Sequence, residues 1–238
     1  MAQASIGEAV ARPEGMKGIV ADWSSDQRAF KNVPWGKAMM WIFLLSDTFI
    51  FSCFLLSYMT VRMSTTVPWP DPSEIFALSF GGEPIPLILI AIMTFILITS
   101  SGTMVLAVNY GYRNDRVKTA VLMLATAAFG AAFVGMQVFE WNKLIVEEGV
   151  RPWGNPFGAA QFGSVFFMIT GFHGFHVSVG VIFLIILARK VWRGDYDTGA
   201  RGFFTSRKGS YEIVEIMGLY WHFVDLVWVF IFALFYLW

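Results

Sequence analysis

Five long apolar runs, at about residues 36–62, 85–110, 117–140, 162–189 and 212–238, decide what this chain of 238 residues can fold into. Each exceeds the ~20 residues with which a helix crosses the hydrocarbon core of a bilayer. In lipid no water is present to bond the backbone, so each run must close its own hydrogen bonds as a helix. The surplus length implies tilt, or helix ends that protrude. Composition points the same way: 56% of residues are hydrophobic and 14% charged, more apolar surface than a soluble domain can hide. The expected fold class is all-α integral membrane, a five-transmembrane-helix bundle forming one domain over residues 34–238. A polar tail, residues 1–33, precedes it.

The tail has no short apolar core followed by a small-residue cleavage site, so it reads as a cytoplasmic segment and not as a signal peptide. Fourteen of the seventeen Lys and Arg residues fall in the N-terminal segment through Lys37, the loop around 113–118 and the loop 189–208. The other side holds Arg62, Lys143 and Arg151. By the positive-inside rule the N-terminus is cytoplasmic and the C-terminus outside, which agrees with an odd number of spans. Seventeen acidic residues balance the basic ones, and no basic cluster with interleaved aromatics suggests nucleic acid. The one cysteine, Cys53, lies in an apolar run and reads as a buried free thiol.

Ionisable residues at membrane depth are the candidates for function, because a charged group there costs about 2.5–3.5 kcal/mol on insertion scales. His173 and His176 lie in FFMITGFHGFHVSVGVIF, and His222 and Asp225 in LYWHFVDLVWVF. Asp47 lies in WIFLLSDTFIFSCF, among large apolar residues that disfavour its charged form. Counting 1.5 Å per residue puts all five roughly 15–25 Å from the cytoplasmic helix ends. Each His–His or His–Asp pair is three residues apart and so shares a helix face.

Three readings of the histidines compete: a copper or zinc site, a proton relay, and imidazoles hydrogen-bonded across helices. Asp47 is either a protonated acid bonded to a neighbouring helix or a proton-exchanging carboxyl. Gln137 and Glu140, with Trp141, lie near the outer end of the third span, where Glu140 is expected to meet the interface. Trp35, Trp141, Trp153 and Trp238 read as interfacial anchors. Ala127, Ala131 and Gly135, and likewise Thr170, Gly174 and Ser178, recur every four residues as expected packing ridges. No Walker motif, dinucleotide fingerprint or cysteine ligand set is present. Three histidines are too few for haem plus copper.

Four segments carry a resemblance: WIFLLSDTFIFSCFLLSYMTVR, QVFEW from Gln137 to Trp141, FFMITGFHGFHVSVG from Phe166 to Gly180, and YWHFVDLVWVF from Tyr220 to Phe230. In order and spacing the chain resembles subunit III of haem-copper terminal oxidases, in the five-helix bacterial form. The resemblance implies a non-catalytic accessory subunit of a complex that reduces O2 to water with proton translocation. It implies a V-shaped cleft holding phospholipids, with haem and copper in partner subunits and no cofactor or metal in this chain. The implied partners are subunit I, with subunit II in the same complex, and the implied location is the bacterial inner membrane. His173, His176, His222 and Asp225 become structural or proton-related positions. Gln137, Glu140, Trp141, Thr170 and Trp221 become lipid or subunit contacts. The family usually has Glu where Asp47 stands, one methylene longer. The alternatives are an accessory subunit of a nitric oxide reductase, or a stand-alone membrane protein that handles metal or protons.

Overall fold

The computed structural model describes residues 35–80, 83–85, 87–196 and 211–238. The tail 1–33 lies outside the described residues, as does most of the loop before the last span. Five helices are long and apolar enough to cross a membrane. They are α1 (Trp35–Ser64), α3 (Ile88–Tyr112), α4 (Arg116–Val146), α5 (Gln161–Arg193) and α6 (Glu212–Tyr236), with a four-residue α2 (Pro72–Ile75) between the first two. At 1.5 Å per residue the 33 residues of α5 reach ~50 Å, well beyond a ~30 Å hydrocarbon core. Its ends therefore protrude.

Three boundaries differ by three residues or more from the sequence expectation, one being the end of the fourth span, at Arg193 and not at 189. The second span begins at Ile88 and not at 85, because Glu83–Ile85 (β2) pairs antiparallel with Leu78–Phe80 (β1) in a small ribbon. The third runs on to Val146, six residues past the expected end. No Pro or Gly follows Glu140 until Gly149, so the helix continues, and Lys143 reaches out from it to donate to the Ala77 carbonyl, with its Nζ 3.8 Å from Glu148.

The ends of the elements have local causes. Asp115 caps α4, accepting from the Lys118 N–H at 3.1 Å. That bond, with the Lys118 ammonium beside it, holds the Asp115 carboxyl below the usual carboxylate range. Its capping contribution is thus present at neutral pH and is lost as the pH falls through the folded-state value. Asn114 takes the left-handed conformation in the three-residue turn between α3 and α4, and Gly194 does so just past α5.

Helices α3, α4, α5 and α6 form a ring, each packed on the next, and α6 closes back on α3. Helix α1 lies outside the ring, against α6 and α5. The centre of the ring is Trp221 of α6, whose indole is fully buried and donates to Ser100 Oγ at 2.9 Å. It reaches across to α4 at Gly130 and to α5 at Gly180. A Cβ at Gly130 would run into the indole and come within 2.7 Å of Val181, and one at Gly180 would lie 2.9 Å from the ring. Only glycine leaves room for Trp221 at these two points.

The four-residue ridges are a correction. Ala131 and Gly135 face outward, and a methyl on Gly135 or Gly174 would meet nothing within 4 Å. Each step of four turns 400°, so such a ridge drifts ~40° per step off the buried face. The inner face of α4 alternates fours and threes through Thr119, Met123, Thr126, Gly130, Phe133, Gln137 and Glu140, with Ala120 and Ala127 beside it. Cys53 is likewise exposed on α1 and not buried.

The loop between α1 and α3 is fastened by rings. Trp69 packs edge-on against Tyr58 and Phe162 at 5.7 and 5.6 Å, and Phe76 lies 4.6 Å from Tyr236. Arg62 donates to Tyr58 Oη at 2.9 Å and covers the Trp238 ring at 4.3 Å. Trp238 is half exposed and Trp153 largely so, whereas Trp141 is partly buried against Phe167.

Candidate intramembrane polar sites

Helix α5 separates the two histidines that the sequence places on one face. Positions three apart differ by ~60° around a helix. His173 turns into the ring and His176 turns toward α1. His173 is fully buried between Phe133 and Trp228, and its Nε2 lies 3.2 Å from the Val224 carbonyl. A carbonyl only accepts, so Nε2 carries the proton. Its other nitrogen, Nδ1, is buried without a protein partner.

His176 Nε2 lies 3.4 Å from Asp47 Oδ2, and its Nδ1 donates to the Phe172 carbonyl at 2.8 Å. With Nδ1 occupied as a donor, the Nε2–Oδ2 contact holds one proton, carried either by the carboxyl or by the imidazole. The contact is longer than a good hydrogen bond, and Oδ2 has no other partner. The neighbouring helix that Asp47 faces is thus α5, through His176. Phe51 and Phe172 box the imidazole at 5.6 and 4.6 Å. Tyr220 Oη donates to the His176 carbonyl at 2.8 Å.

His222 and Asp225 remain together. Both meet Ser101 of α3: its hydroxyl donates to Asp225 Oδ2, and its oxygen lies 2.9 Å from His222 Nδ1. Since the one hydroxyl proton goes to the carboxylate, His222 supplies the proton of the second bond. Asp225 Oδ1 is buried without a partner. The neighbouring Ser100, which holds Trp221, donates onward to the Leu97 carbonyl at 2.7 Å.

Glu140 is a correction to the interfacial expectation. It is 3% exposed, accepts from Gln137 Nε2 at 2.8 Å and accepts from Tyr236 Oη at 3.1 Å. Thr170 is fully buried and bonds back to the Phe166 carbonyl at 2.7 Å. Thr170, Gln137, Glu140 and Trp221 are thus packed inside this chain, and any influence on lipid or a neighbouring subunit passes through the bundle. Trp141 has a buried indole N–H without a protein partner.

Ser100, Ser101, Tyr220 and Tyr236 complete these sites and were not singled out in the sequence. The only trace of the first two is the pair of adjacent serines in an apolar run. The three imidazoles have three different partners and do not converge. Among the described residues no group of three His, Cys, Asp or Glu forms a metal-ligand set. The arrangement can hold protons and tie helices together.

His173→Ala is expected to lower stability by about 1–3 kcal/mol, since it removes the bond that ties α5 to the Val224 carbonyl of α6 and opens space beside Phe133. The melting temperature of the purified chain in mild detergent measures it. An unchanged value contradicts a locking role for His173.

The family model described as "Cytochrome c oxidase subunit III" matches residues 30–238. The cytochrome c oxidase subunit 3 of Alkalihalophilus pseudofirmus is 31% identical over 198 residues, covering 83% of this chain and 84% of that one. A probable quinol oxidase subunit 3 of Staphylococcus saprophyticus is 31% identical, with 89% and 92% covered. The cytochrome bo(3) ubiquinol oxidase subunit 3 of Pseudomonas aeruginosa is 29% identical, with 83% and 82% covered.

Proposed function

Because the chain belongs to the cytochrome c oxidase subunit III family, we propose that it serves its complex as a supporting bundle, with the redox chemistry carried by other subunits. It is an accessory subunit of a haem-copper oxidase and a multi-pass protein of the bacterial inner membrane. Similar relatives carry both cytochrome c and quinol oxidase names. Membership therefore follows from the shared subunit and not from one electron donor.

The observation that carries the supporting role is where the intramembrane polar groups spend their bonds. Ser101 joins α3 to α6, His173 joins α5 to α6 and Glu140 joins α4 to α6, while Asp47 of α1 rests in a looser contact on His176 of α5. Each ties one helix to another, which is what a scaffold needs. The partner we assign is subunit I, bearing haem and copper, with subunit II in the same complex and phospholipids held in a cleft of the bundle. The α3–α4 turn and the C-terminal end of α5 face the cytoplasm in this reading, following the basic residues there.

Asp47 and His176 are the pair through which the subunit supports proton uptake, a carboxyl and an imidazole side by side at membrane depth. The effect of the pair is small by its geometry, because 3.4 Å is a loose contact. Asp47→Asn keeps the size of the side chain, and its amide can donate to Nε2. We expect normal assembly and less than a twofold change in oxygen uptake; a variant that fails to assemble shows that the carboxyl itself holds α1.

A strain lacking this chain tests the role as a whole. The expected result is an oxidase with normal initial turnover that loses activity during sustained turnover several times faster than the complete enzyme. Indistinguishable decay with and without the chain contradicts a supporting role.

A further inference from the structure

Among the described residues, three buried polar atoms along the seam between α4 and α5 have no hydrogen-bond partner: Gln137 Oε1, Trp141 Nε1 and His173 Nδ1. The two helices run antiparallel here. Gly130 of α4 faces Val181 of α5, Phe133 meets His173 at 5.6 Å, and Trp141 meets Phe167 at 5.2 Å and lies beside Gly171. Gln137 is one turn from Phe133 and one turn from Trp141, so it is level with the turn from Thr170 to His173. Side chains lean toward the N-terminal end of their own helix. Trp141 therefore leans back toward the level of Gln137, and His173 leans toward both. Gln137 is 4% exposed and His173 fully buried, so solvent at the surface serves neither.

The bonds already made fix what each atom can do. His173 Nε2 donates to the Val224 carbonyl, which leaves Nδ1 a bare lone pair. Gln137 Nε2 donates to Glu140 Oε2, which leaves Oε1 an acceptor. Two acceptors cannot bond each other. The indole N–H of Trp141 can only donate. The seam thus calls for a small group that offers two protons and a lone pair. An anion would face the two lone pairs, and a cation would face the indole proton. Water fits all three atoms.

We propose that one ordered water molecule is built into the bundle here, donating to His173 Nδ1 and Gln137 Oε1 and accepting from Trp141 Nε1. Roughly three bonds is the usual number for a buried water. Through this molecule and the Val224 carbonyl, α4, α5 and α6 are tied together at one level. The water also holds His173 in the tautomer that keeps its Nε2 proton for α6. Gln137 and Trp141 act as positioning residues for His173 without bonding it. The inference stands on these three atoms and their helices, and does not depend on the oxidase reading.

The test is an electron cryo-microscopy map of the whole complex, fine enough to show ordered water at other buried polar sites. The expected result for the natural chain is one peak within hydrogen-bond reach of both His173 Nδ1 and Gln137 Oε1. Gln137→Met keeps the length of the side chain, removes the acceptor and should lose the peak. No peak in the natural map overturns the proposal, as does a Gln137 amide turned to bond Trp141 or His173 directly. A peak unchanged in Gln137→Met overturns it too. The natural map decides alone if the variant assembles poorly. Thermal unfolding of Gln137→Met, His173→Phe and the double variant gives a second reading. Either single change already frees the water, so the double variant should lower the midpoint by less than the sum of the two. Strictly additive losses overturn the shared water. Absence of haem from the purified complex refutes the oxidase role and leaves this proposal to stand or fall by the peak.

Discussion

Trp221→Ala is expected to destabilise the bundle by about 3–5 kcal/mol, the usual cost of removing a buried tryptophan. The indole fills the centre of the four-helix ring, touches the backbone faces of two other helices and donates to Ser100. No neighbour can collapse into that space without moving a helix. Trp221→Phe should recover most of the packing and lose the one hydrogen bond, for about 1 kcal/mol. Gly130→Val is the reciprocal experiment, since it drives a branched side chain into the indole at a cost of about 1–3 kcal/mol or more. The two changes address one space, so Gly130→Val/Trp221→Ala should be less destabilised than the sum of the singles. Thermal unfolding followed by size-exclusion chromatography in mild detergent reads all four. Additive losses contradict the interlock.

Glu140→Leu is expected to cost about 2–5 kcal/mol, because it strands two buried donors, the Gln137 amide and the Tyr236 hydroxyl. Glu140→Gln keeps a carbonyl oxygen for Gln137 and a polar group beside Tyr236, and should stay within about 1 kcal/mol of the natural chain. A tolerated leucine shows that neither bond holds α6 to α4. A damaging glutamine shows that the acid does more than accept two hydrogen bonds.

The five spans, the class of fold and the polar candidates were legible in the sequence, because lipid leaves a long apolar run no alternative to a helix. His222 and Asp225 remained paired because both reach the same serine. His173 and His176 parted because a three-residue step already turns toward a different neighbour when several helices surround α5. The partner of Asp47 lies 129 positions away and that of Glu140 lies 96 positions away, and no local pattern encodes such distances. Ser100 and Ser101 escaped notice because most membrane-helix hydroxyls bond only their own preceding turn, as Thr48, Ser52 and Thr60 do here. The packing ridges failed for a geometric reason: a constant step of four follows a drifting line and not the buried face. A helix ending at 140 implies an interfacial Glu140, but the helix continues to Val146 and Tyr236 of α6 packs over the carboxyl, so it is buried in protein.

Reduced-minus-oxidised spectra and metal analysis, made on the chain pulled down in mild detergent and again after it is stripped from its partners, test the central claim most directly. An accessory subunit brings oxidase haem bands and copper in the first sample and neither in the second, while the stripped partners keep their haem. Haem or copper remaining in stoichiometric amount with the isolated chain contradicts the account and moves the redox chemistry into this bundle.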